Sequence, residues 1–393
     1  MKIALAQQNY HIGNIEANTQ KIIGAIGQAK SQGADLVVFS ELAVCGYPPR
    51  DFLYFHDFIQ KCEAAIASIA AEATGIAVLV GAPQRNPNRH GKDLYNAAFF
   101  LADGKTQQVI HKTCLPTYDV FDEDRYFEPA TQWELILFQG KKLAVTICED
   151  IWNLGDNPMY RVCPMDELMK YEPDMMINLS ASPFDYTHDE DRKATIKANV
   201  TKYKLPLFYC NSVGSQTEVV FDGGSLIFDA AGNLRGKMPV FQEDIQSFIV
   251  ADDGAIDAPV IEAADALPDG ELNPAGLEEN LHIDLVHDAI VMGIRDYFSK
   301  MGFTKAILGS SGGIDSAVTL VLACEALGKE NVRAVLMPSE FSTSHSVDDA
   351  VALSGKLGNP YDIIPIKNIY DSFLQELKPV FKDLPFGIAE ENI

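Results

Sequence analysis

The sequence predicts an α/β protein of two domains, the first built on mixed sheets and the second on a parallel sheet. The chain has 393 residues, more than one hydrophobic core usually organises. Short β-rich runs recur up to residue 250, and regular strand–helix alternation follows from residue 278. Between them, residues 251–277 are acidic, rich in Ala, Pro and Gly and without an amphipathic period, so we place a linker there.

The first predicted domain, residues 1–250, contains nine short apolar runs that favour strands. They are Ile3–Gln7, Leu36–Phe39, Ile76–Gly81, Tyr95–Leu101, Leu143–Ile147, Met175–Asn178, Leu207–Cys210, Ser225–Phe228 and Ser247–Val250. Apolar residues at helical spacing predict a helix over Asn14–Ser31, which Gly33 would end. The runs Glu218–Phe221 and Ser225–Phe228 flank an Asp-Gly-Gly sequence, which predicts a hairpin and therefore a mixed sheet.

The second predicted domain, residues 278–393, alternates between helix and strand. Its elements are helix Leu281–Lys300, strand Lys305–Leu308, helix Ser316–Leu327, strand Arg333–Met337, helix Val347–Leu357, strand Tyr361–Pro365 and helix Ile369–Phe381. Such alternation is typical of a parallel sheet. Since doubly wound sheets usually have ~5 strands or more, we expect this domain to be incomplete.

Composition and charge argue against several classes of protein. Apolar residues make up 47% and charged residues 22% of the chain, values typical of globular rather than disordered proteins. The net charge of −24 would repel nucleic-acid phosphate, so we expect no nucleic-acid partner. The seven cysteines show no zinc-ligand spacing. Their odd number and scattered positions favour a reducing compartment. Without a leader-like N-terminus or an apolar run of ~18 residues, we expect a cytoplasmic protein with no membrane association.

Three candidate catalytic residues each follow an apolar strand. Glu41 follows DLVVFS, Lys112 follows QQVIH and Cys148 follows KLAVTI. Sites in α/β sheets assemble at strand ends. A thiolate can attack an amide carbonyl while a carboxylate moves protons and an ammonium group stabilises the oxyanion. Taken singly, each residue type is more often a buried or solvated structural side chain, so the residues alone leave a structural interpretation open.

The segments FSELAVCGYPPRDFL, HKTCLPTYDVFDEDRYF and TICEDIW, which contain these residues, resemble the nitrilase, or carbon–nitrogen hydrolase, family. The resemblance implies an α-β-β-α sandwich with mixed sheets. It assigns Glu41 as general base, Lys112 as oxyanion and positioning residue, and Cys148 as the nucleophile that forms a glutamyl thioester. A backbone N–H after Cys148 would complete the oxyanion hole.

The same resemblance implies further site residues. Glu123 resembles the additional glutamate near the lysine, and the positions that hold glutamine are Tyr118, Glu149, Ser182 and His188. Relatives often carry Lys or Arg where this chain has His188, and Arg192 is a possible substitute for gripping the substrate carboxylate. From the residues alone, Tyr118 packed beside a proline, Ser182 in a turn and Glu123 on the surface are equally good interpretations.

A second candidate site lies where strand KAILG runs into SSGGIDSAVTL. Ser310, Ser311, Gly312 and Gly313 precede a helix whose free N–H groups and dipole attract phosphate. The loop lacks the lysine of GxxxxGK[ST] loops. SGGxDS instead resembles the pyrophosphatase loop of enzymes that split ATP between the α and β phosphates, in a Rossmann-like adenine nucleotide alpha-hydrolase domain. The ATP-binding residues that it implies are Ser310, Ser311, Gly312, Gly313, Ile314, Asp315, Ser316 and Met337.

Asp315 has two interpretations. It could cap the helix that follows the loop, or it could bind Mg²⁺ through a carboxylate oxygen, as the resemblance implies. Downstream, LMPSEFSTSHSVDDA resembles the strand–loop–helix that follows the phosphate loop in NAD synthetases. This resemblance places Met337, Pro338, Ser339 and Ser342 near the nucleotide. A polar loop that caps a helix from Val347 is the structural alternative.

Because it combines the two resemblances, the chain as a whole resembles the glutamine-dependent NAD⁺ synthetase family. Membership would imply glutamine, deamido-NAD⁺ and ATP as substrates, Mg²⁺ as cofactor, and a homo-oligomer. Because relatives continue beyond the position of Ile393, we expect this chain to keep the glutaminase half and to lack part of the ligase. A free-standing amidase and a non-catalytic, truncated regulatory subunit remain the alternatives.

Overall fold

The computed structural model describes residues 1–88, 90–155, 159–185, 188–216, 218–261, 283–339, 342–381 and 387. The chain divides into two compact units, residues 1–289 and 290–393. In the described part of the chain, no helix is long and apolar enough to cross a membrane.

The first unit is built on two six-stranded sheets. Its strands are β1 (Lys2–Gln7), β2 (Leu36–Val38), β3 (Ala77–Arg85), β4 (Leu94–Ala102), β5 (Lys105–His111), β6 (Ile136–Phe138), β7 (Lys141–Ile147), β8 (Met175–Ser180), β9 (Leu207–Asn211), β10 (Val213–Ser215), β11 (Val220–Asp222), β12 (Leu226–Phe228), β13 (Leu234–Lys237) and β14 (Asp244–Ile249). Its helices are α1 (Ile15–Ser31), α2 (His56–Glu72), α3 (Pro164–Leu168) and α4 (His188–Tyr203). The sheet orders are β14-β1-β2-β3-β4-β5 and β13-β12-β9-β8-β7-β6.

Both sheets have the same design, with parallel strands at the centre and antiparallel strands at the flanks. Strands β1, β2 and β3 run parallel in one sheet and β7, β8 and β9 in the other. Apolar side chains of the two sheets, such as Leu5 and Val145, share one core. Residues of α1 and α2, such as Ile22, pack on the outer face of the first sheet, and residues of α4, such as Ile196, pack on the second. The α-β-β-α sandwich with mixed sheets is therefore confirmed.

Helix α1 shows how the local sequence sets an element. The side chain of Asn14 accepts a hydrogen bond from the N–H of Ala17 at 3.3 Å, which caps the first turn. Ile22 and Ile26 are buried at helical spacing, and Gly33 has a φ of +73° beyond the last turn. The predicted helix over Asn14–Ser31 agrees with the structure.

The predicted hairpin between Glu218–Phe221 and Ser225–Phe228 is wrong. Strand β11 pairs with β10 in a separate two-stranded sheet, whereas β12 pairs with β9 and β13. Gly223 and Gly224 both have positive φ values and carry the chain from one sheet to the other. A Cβ on Gly223 would lie 2.4 Å from the side chain of Gln7, so tertiary packing, which a local turn pattern does not report, sets this connection.

The predicted linker falls partly on the first unit. Ile256 is buried, and the N–H of Ile261 bonds to the carbonyl of Leu234 at 2.8 Å. Residues 251–261 therefore pack against the strands that precede them. The rest of the predicted linker, residues 262–277, lies outside the described residues.

The second unit has a parallel sheet of strand order β15-β16-β17. After α5 (Ile283–Met301), which crosses the division between the units, its elements are β15 (Ala306–Gly309), α6 (Ile314–Leu327), β16 (Val332–Leu336), α7 (Ser344–Leu357), β17 (Tyr361–Ile363) and α8 (Lys367–Phe381). Leu320 of α6 packs with Val332 and Leu336 of β16 in the core. The Rossmann-like strand–helix alternation is confirmed.

Candidate active site

The three predicted catalytic residues lie beyond three strand ends of the first unit and are buried together. Glu41 follows β2, Lys112 follows β5 and Cys148 follows β7. Their exposed fractions are 1%, 0% and 5%. An ion pair joins Lys112 to Glu41 across 71 positions of sequence. The strand ends of both sheets therefore contribute to one site.

Lys112 and two carboxylates form the centre of this site. Lys112 Nζ donates to Glu41 Oε1 and to Glu123 Oε1, both at 2.7 Å. Asn96 Nδ2 donates to Glu41 Oε1 at 2.7 Å and to Glu123 Oε2 at 3.2 Å, and the Tyr47 hydroxyl donates to Glu123 Oε1 at 2.8 Å. Glu123, which sequence alone could equally have placed on the surface, is buried in this network. Four donor contacts, two from Lys112 and two from Asn96, thus join the two glutamates.

Cys148 has a backbone conformation that residues other than glycine rarely adopt. Its φ is +44°, in the left-handed region, and a short 3-10 helix begins at the same residue. Such backbone costs about 1–3 kcal/mol and is found preferentially at functional sites. Asn178 Nδ2 donates to the Cys148 carbonyl at 3.4 Å and to Thr146 Oγ1 at 3.0 Å. Strand β8 therefore supports the turn that presents the thiol.

Burial and charge set the protonation of the site. Burial raises the pKa of the Cys148 thiol well above its usual value, the Glu41 carboxylate raises it further, and Lys112 acts in the opposite sense. Burial also raises the pKa of Glu41 to about 7, although Lys112 opposes that rise. For Lys112, burial lowers the pKa, but Glu123 and Glu41 outweigh burial and hold the pKa well above its usual value. At neutral pH the site thus holds a neutral thiol, a charged lysine and a carboxyl group poised to exchange a proton.

Glu149, the residue after the nucleophile, is held by two tyrosines. The Tyr118 hydroxyl donates to Glu149 Oε2 and the Tyr160 hydroxyl donates to Glu149 Oε1, both at 2.9 Å. Burial raises the pKa of Glu149, and the bonds from the two tyrosines oppose the rise. Tyr118 is 42% exposed, so this pair of tyrosines connects the buried carboxylate to the surface. Sequence reasoning missed Tyr160, which lies apart from the three motifs.

The remaining predicted glutamine-binding residues have different surroundings. Ser182 is buried after β8, and its N–H donates to Asn211 Oδ1 at 2.8 Å. His188 is the first residue of α4, and its side chain lies outside what the structure describes. Arg192 forms a buried two-bond ion pair with Asp222, with both N–O distances at 2.9 Å. The structure therefore pairs Arg192 with Asp222, and the suggestion that Arg192 grips the substrate carboxylate stays a prediction.

Asp150 is a further residue that sequence reasoning missed. Its Oδ1 accepts the N–H groups of Thr113 at 3.0 Å and Cys114 at 2.8 Å, and its Oδ2 accepts the N–H of Ile147 at 3.0 Å. The first two N–H groups follow Lys112 and the third precedes Cys148. A buried carboxylate therefore joins the segment that carries the lysine to the turn that carries the thiol. Its place in TICEDIW was a signal, since an acid beside a predicted nucleophile in an apolar segment needs a partner.

We expect Asp150→Asn to lower the rate of the reaction at this site by about 10²-fold, because the amide has one acceptor where the carboxylate has two and the two segments would shift. Urea unfolding should show a loss of about 1–3 kcal/mol, the cost of a buried donor left unpaired. Asp229→Asn is the matched control, since Asp229 Oδ1 also accepts two backbone N–H groups, in a turn between β12 and β13. The control should lose stability and retain the catalytic rate, and equal rates for the two variants would contradict the role of Asp150.

The predicted phosphate loop lies between β15 and α6 in the second unit. Ser311 N–H and Ser311 Oγ bond to Ser316 Oγ at 3.2 and 3.1 Å, and Gly313 N–H bonds to Ser311 Oγ at 3.2 Å. Gly312 has a φ of +83°, and a Cβ there would lie 2.1 Å from the Ser346 carbonyl oxygen. Gly313 caps α6 without a side-chain hydrogen bond. The loop is thus closed by hydroxyls and glycines, and the helix N-terminus points its N–H groups at the loop.

The other predicted ATP-binding residues surround this loop. Ser310 is buried, and its N–H bonds to the Val335 carbonyl at 2.9 Å. Met337 follows β16, and a Cβ on Gly309 would lie 3.8 Å from its terminal methyl, so it neighbours the start of the loop. Ile314, at the first turn of α6, is 75% exposed. The structure therefore brings the loop and Met337 together at the strand ends of the parallel sheet.

Asp315 does not cap α6. The cap position is Gly313, and Asp315 lies in the first turn. A single carboxylate beside a phosphate loop fits Mg²⁺, which usually takes one or two protein carboxylates together with phosphate oxygens and water. Within the described residues, no group of three or more His, Cys, Asp or Glu side chains could hold a metal ion without such outside ligands.

Two family models match the chain. A carbon–nitrogen hydrolase model matches residues 2–253, and an NAD synthase model matches residues 286–393. Glutamine-dependent NAD(+) synthetases are among its relatives. The one from Synechocystis sp. is 42% identical over 400 residues, covering all of this chain and 69% of the relative, and the one from Thermotoga maritima is 36% identical over 414 residues, covering all of this chain and 70% of the relative.

Two solved structures have folds similar to parts or all of this chain. A glutamine-dependent NAD+ synthetase from Acinetobacter baumannii, in complex with ADP, has a TM-score of 0.87 and 35% identity, covering all of this chain and 69% of that one. An amidase from Nesterenkonia sp. AN1 has a TM-score of 0.55 and 22% identity over 64% of this chain and 94% of its own. The second likeness shows the fold of the first unit alone.

Proposed function

Since the chain belongs to the glutamine-dependent NAD⁺ synthetases, we propose that Cys148, Glu41 and Lys112 release the ammonia of this reaction from glutamine. The observation that carries the proposal is the buried group itself. A neutral thiol, a carboxyl group with a pKa of about 7 and a charged lysine lie together at strand ends. These are the nucleophile, the proton carrier and the oxyanion donor that amide hydrolysis requires.

The reaction starts from the thiol. Glu41 takes the proton of Cys148 as the sulfur bonds to the side-chain amide carbon of glutamine. Lys112 and the N–H of Glu149 stabilise the oxyanion of the tetrahedral intermediate. The intermediate collapses as Glu41 returns the proton to the amide nitrogen, so that ammonia leaves and a glutamyl thioester remains. Glu41 then takes a proton from water as the water oxygen attacks the thioester carbon. The C–S bond breaks and Glu41 returns the proton to the sulfur, so glutamate is released and the Cys148 thiol is restored.

Glu149, with Tyr118 and Tyr160, is proposed to select glutamine by its ammonium group. A buried carboxylate one residue from the nucleophile would attract the cationic end of the substrate, and the hydroxyls of the two tyrosines orient that carboxylate. Ser182 and His188 are proposed to complete the glutamine-binding site.

The second unit is proposed to carry out the ligase half. The loop of Ser310, Ser311, Gly312 and Gly313, with Ile314, Ser316 and Met337, would bind ATP, and Asp315 would hold Mg²⁺ on its phosphates. Mg²⁺ neutralises phosphate charge in such reactions. The nicotinate carboxylate of deamido-NAD⁺ would be adenylated with release of pyrophosphate, and ammonia would then displace AMP. The enzyme is accordingly proposed as a carbon–nitrogen ligase with glutamine as amido donor.

The oligomeric state and the cellular compartment of the protein are proposed from different observations. The family likeness of the two-site chain supports a homo-oligomer. All seven cysteines are free thiols, which supports a reducing compartment such as the cytoplasm.

The testing experiment incubates the purified chain with glutamine, deamido-NAD⁺, ATP and Mg²⁺ and quantifies glutamate and NAD⁺ together. We expect glutamate from the unsubstituted chain, and none above background from Cys148→Ala, because the variant lacks the sulfur that forms the thioester. Replacing glutamine by ammonium chloride tests the ligase half, whose product should not depend on Cys148. Mass spectrometry of the chain after brief exposure to glutamine should show a glutamyl adduct on Cys148.

Each outcome tests a different part of the proposal. Glutamate without NAD⁺, from either nitrogen source, would support the glutaminase half and contradict the ligase half for this chain. Equal glutamate release by Cys148→Ala would contradict the nucleophile. Faster hydrolysis of simple amides than of glutamine would indicate an amidase instead.

A further inference from the structure

Asn96 occupies a position between the groups of the site that the three sequence motifs do not include. It lies on β4 and is 1% exposed. Its backbone carbonyl accepts the N–H of Lys112 at 2.9 Å. Its side-chain Nδ2 donates to Glu41 Oε1 at 2.7 Å and to Glu123 Oε2 at 3.2 Å. One residue therefore contacts the lysine through its backbone and both glutamates through its side chain.

The amide of Asn96 has one orientation that the two carboxylates allow. If the amide were rotated by 180°, Oδ1 would face two carboxylate oxygens, and the three acceptors would repel one another. In the observed orientation, Asn96 Oδ1 is buried and lacks a hydrogen-bond partner among the described residues. A buried acceptor without a partner is costly. The two hydrogen bonds from Nδ2 to the glutamates must outweigh that cost. The donation from Nδ2 therefore fixes the orientation of the Asn96 amide.

The two oxygens of Glu41 differ because of this arrangement. Oε1 accepts both Lys112 Nζ and Asn96 Nδ2 at 2.7 Å, whereas the one donor to Oε2 among the described residues is the N–H of Ala181, at 3.2 Å. An oxygen that already accepts two strong bonds is the weaker base. Taking Glu41 as the general base of the proposed function, we propose that Asn96 is a positioning residue, which engages Glu41 Oε1 and leaves Oε2 to take the proton of Cys148.

This role has a measurable consequence for the proton affinity of Glu41. Burial raises the pKa of Glu41 to about 7, and the hydrogen bond from Asn96 is one of the contacts that lower it. Removing the donor should therefore raise the pKa further. Placing a third carboxyl group at position 96 should raise the pKa by like-charge repulsion as well.

The test follows the rate at which iodoacetamide alkylates Cys148 as a function of pH, with the product read from the Cys148 peptide by mass spectrometry. This rate does not depend on glutamine being the substrate. The unsubstituted chain should show a midpoint near pH 7 that disappears in Glu41→Gln. We expect Asn96→Leu to move the midpoint up by about one pH unit, the shift that corresponds to one hydrogen bond to a charged group.

A second variant and a matched control complete the experiment. Asn96→Asp keeps the shape of the side chain and should also move the midpoint up, so it supplies the result if Asn96→Leu does not fold. Asn359→Leu is the control, because Asn359 is also buried, its Oδ1 also lacks a partner among the described residues, and its Nδ2 donates to a backbone carbonyl. That control should leave the midpoint unchanged.

The outcomes distinguish this inference from the proposed function. A Glu41-dependent midpoint that both Asn96 variants leave in place would overturn the role of Asn96 alone. A midpoint that persists in Glu41→Gln would overturn the assignment of Glu41 as base and, with it, the inference about Asn96. An equal shift in Asn359→Leu would mean that general loss of packing moves the midpoint, which also overturns the inference.

Discussion

Replacing Lys112 by methionine is expected both to lower the rate of glutamine hydrolysis strongly and to destabilise the first unit. The lysine is fully buried, and its Nζ lies 2.7 Å from both Glu41 and Glu123. Breaking a buried ion pair by removing one partner typically costs about 3–5 kcal/mol, because a charge is left uncompensated. Removing a donor to the oxyanion typically lowers the rate by about 10²–10³-fold.

The loss of stability in Lys112→Met should depend on pH in a defined direction. Lys112 lowers the pKa of Glu41, so without it Glu41 takes up a proton more readily. As pH falls, the uncompensated carboxylates become neutral and the penalty of the variant should shrink. Urea unfolding at several pH values would measure this, with the difference from the unsubstituted chain largest in the alkaline range.

The control is the same substitution at an exposed lysine. Lys92 pairs with Asp124 at 2.6 Å, but both side chains are partly exposed, and such pairs contribute about 0–1 kcal/mol. Lys92→Met should therefore leave activity and stability nearly unchanged. If Lys112→Met behaved like Lys92→Met, the buried lysine would have neither of the roles assigned to it.

Much of the fold could be predicted from sequence because the local patterns and the tertiary structure agree. The period of apolar residues in α1 and the alternation in residues 305–381 each describe one element and its neighbours. The connection through Gly223 and Gly224 could not be predicted in this way. Its course depends on Gln7, more than two hundred residues earlier, whose side chain lies where a Cβ of Gly223 would be. Contacts of that range leave no local pattern.

The residues of the site also fall into those that the local sequence predicts and those that depend on distant contacts. Glu41, Lys112 and Cys148 could be found because each ends an apolar strand inside a family motif. Asn96 lies outside the three motifs, and Asp150 lies inside one of them without being identified from it. Their roles arise only when distant segments meet: Asn96 bonds to Glu41 and Glu123, and Asp150 bonds to backbone N–H groups on either side of the site. Sequence motifs therefore indicated the groups that react and the glutamate beside them, but not the roles of Asn96 and Asp150.

Replacing Glu41 by glutamine is expected to lower glutamine hydrolysis by about 10²–10⁴-fold, the usual contribution of general acid–base catalysis. The same change at Glu123 should cost less, and this comparison separates a base from a positioning carboxylate. Both oxygens of Glu123 have donors, Oε1 from Lys112 and Tyr47 and Oε2 from Asn96. In the described part of the chain, Glu41 Oε2 has a single backbone donor, at 3.2 Å. Of the neighbouring charges that raise the pKa of Cys148, the Glu41 carboxylate has the largest effect.

The pH profile of kcat/KM decides between the two glutamates. Burial raises the pKa of Glu41 to about 7, so the rate of the unsubstituted chain should rise through neutral pH as the base ionises. The residual activity of Glu41→Gln should lack that rise, whereas Glu123→Gln should retain it. Glu123 raises the pKa of Glu41 through its charge, and neutralising it should therefore move the midpoint to lower pH. A profile that loses its acidic limb in Glu123→Gln and keeps it in Glu41→Gln would reverse the two roles.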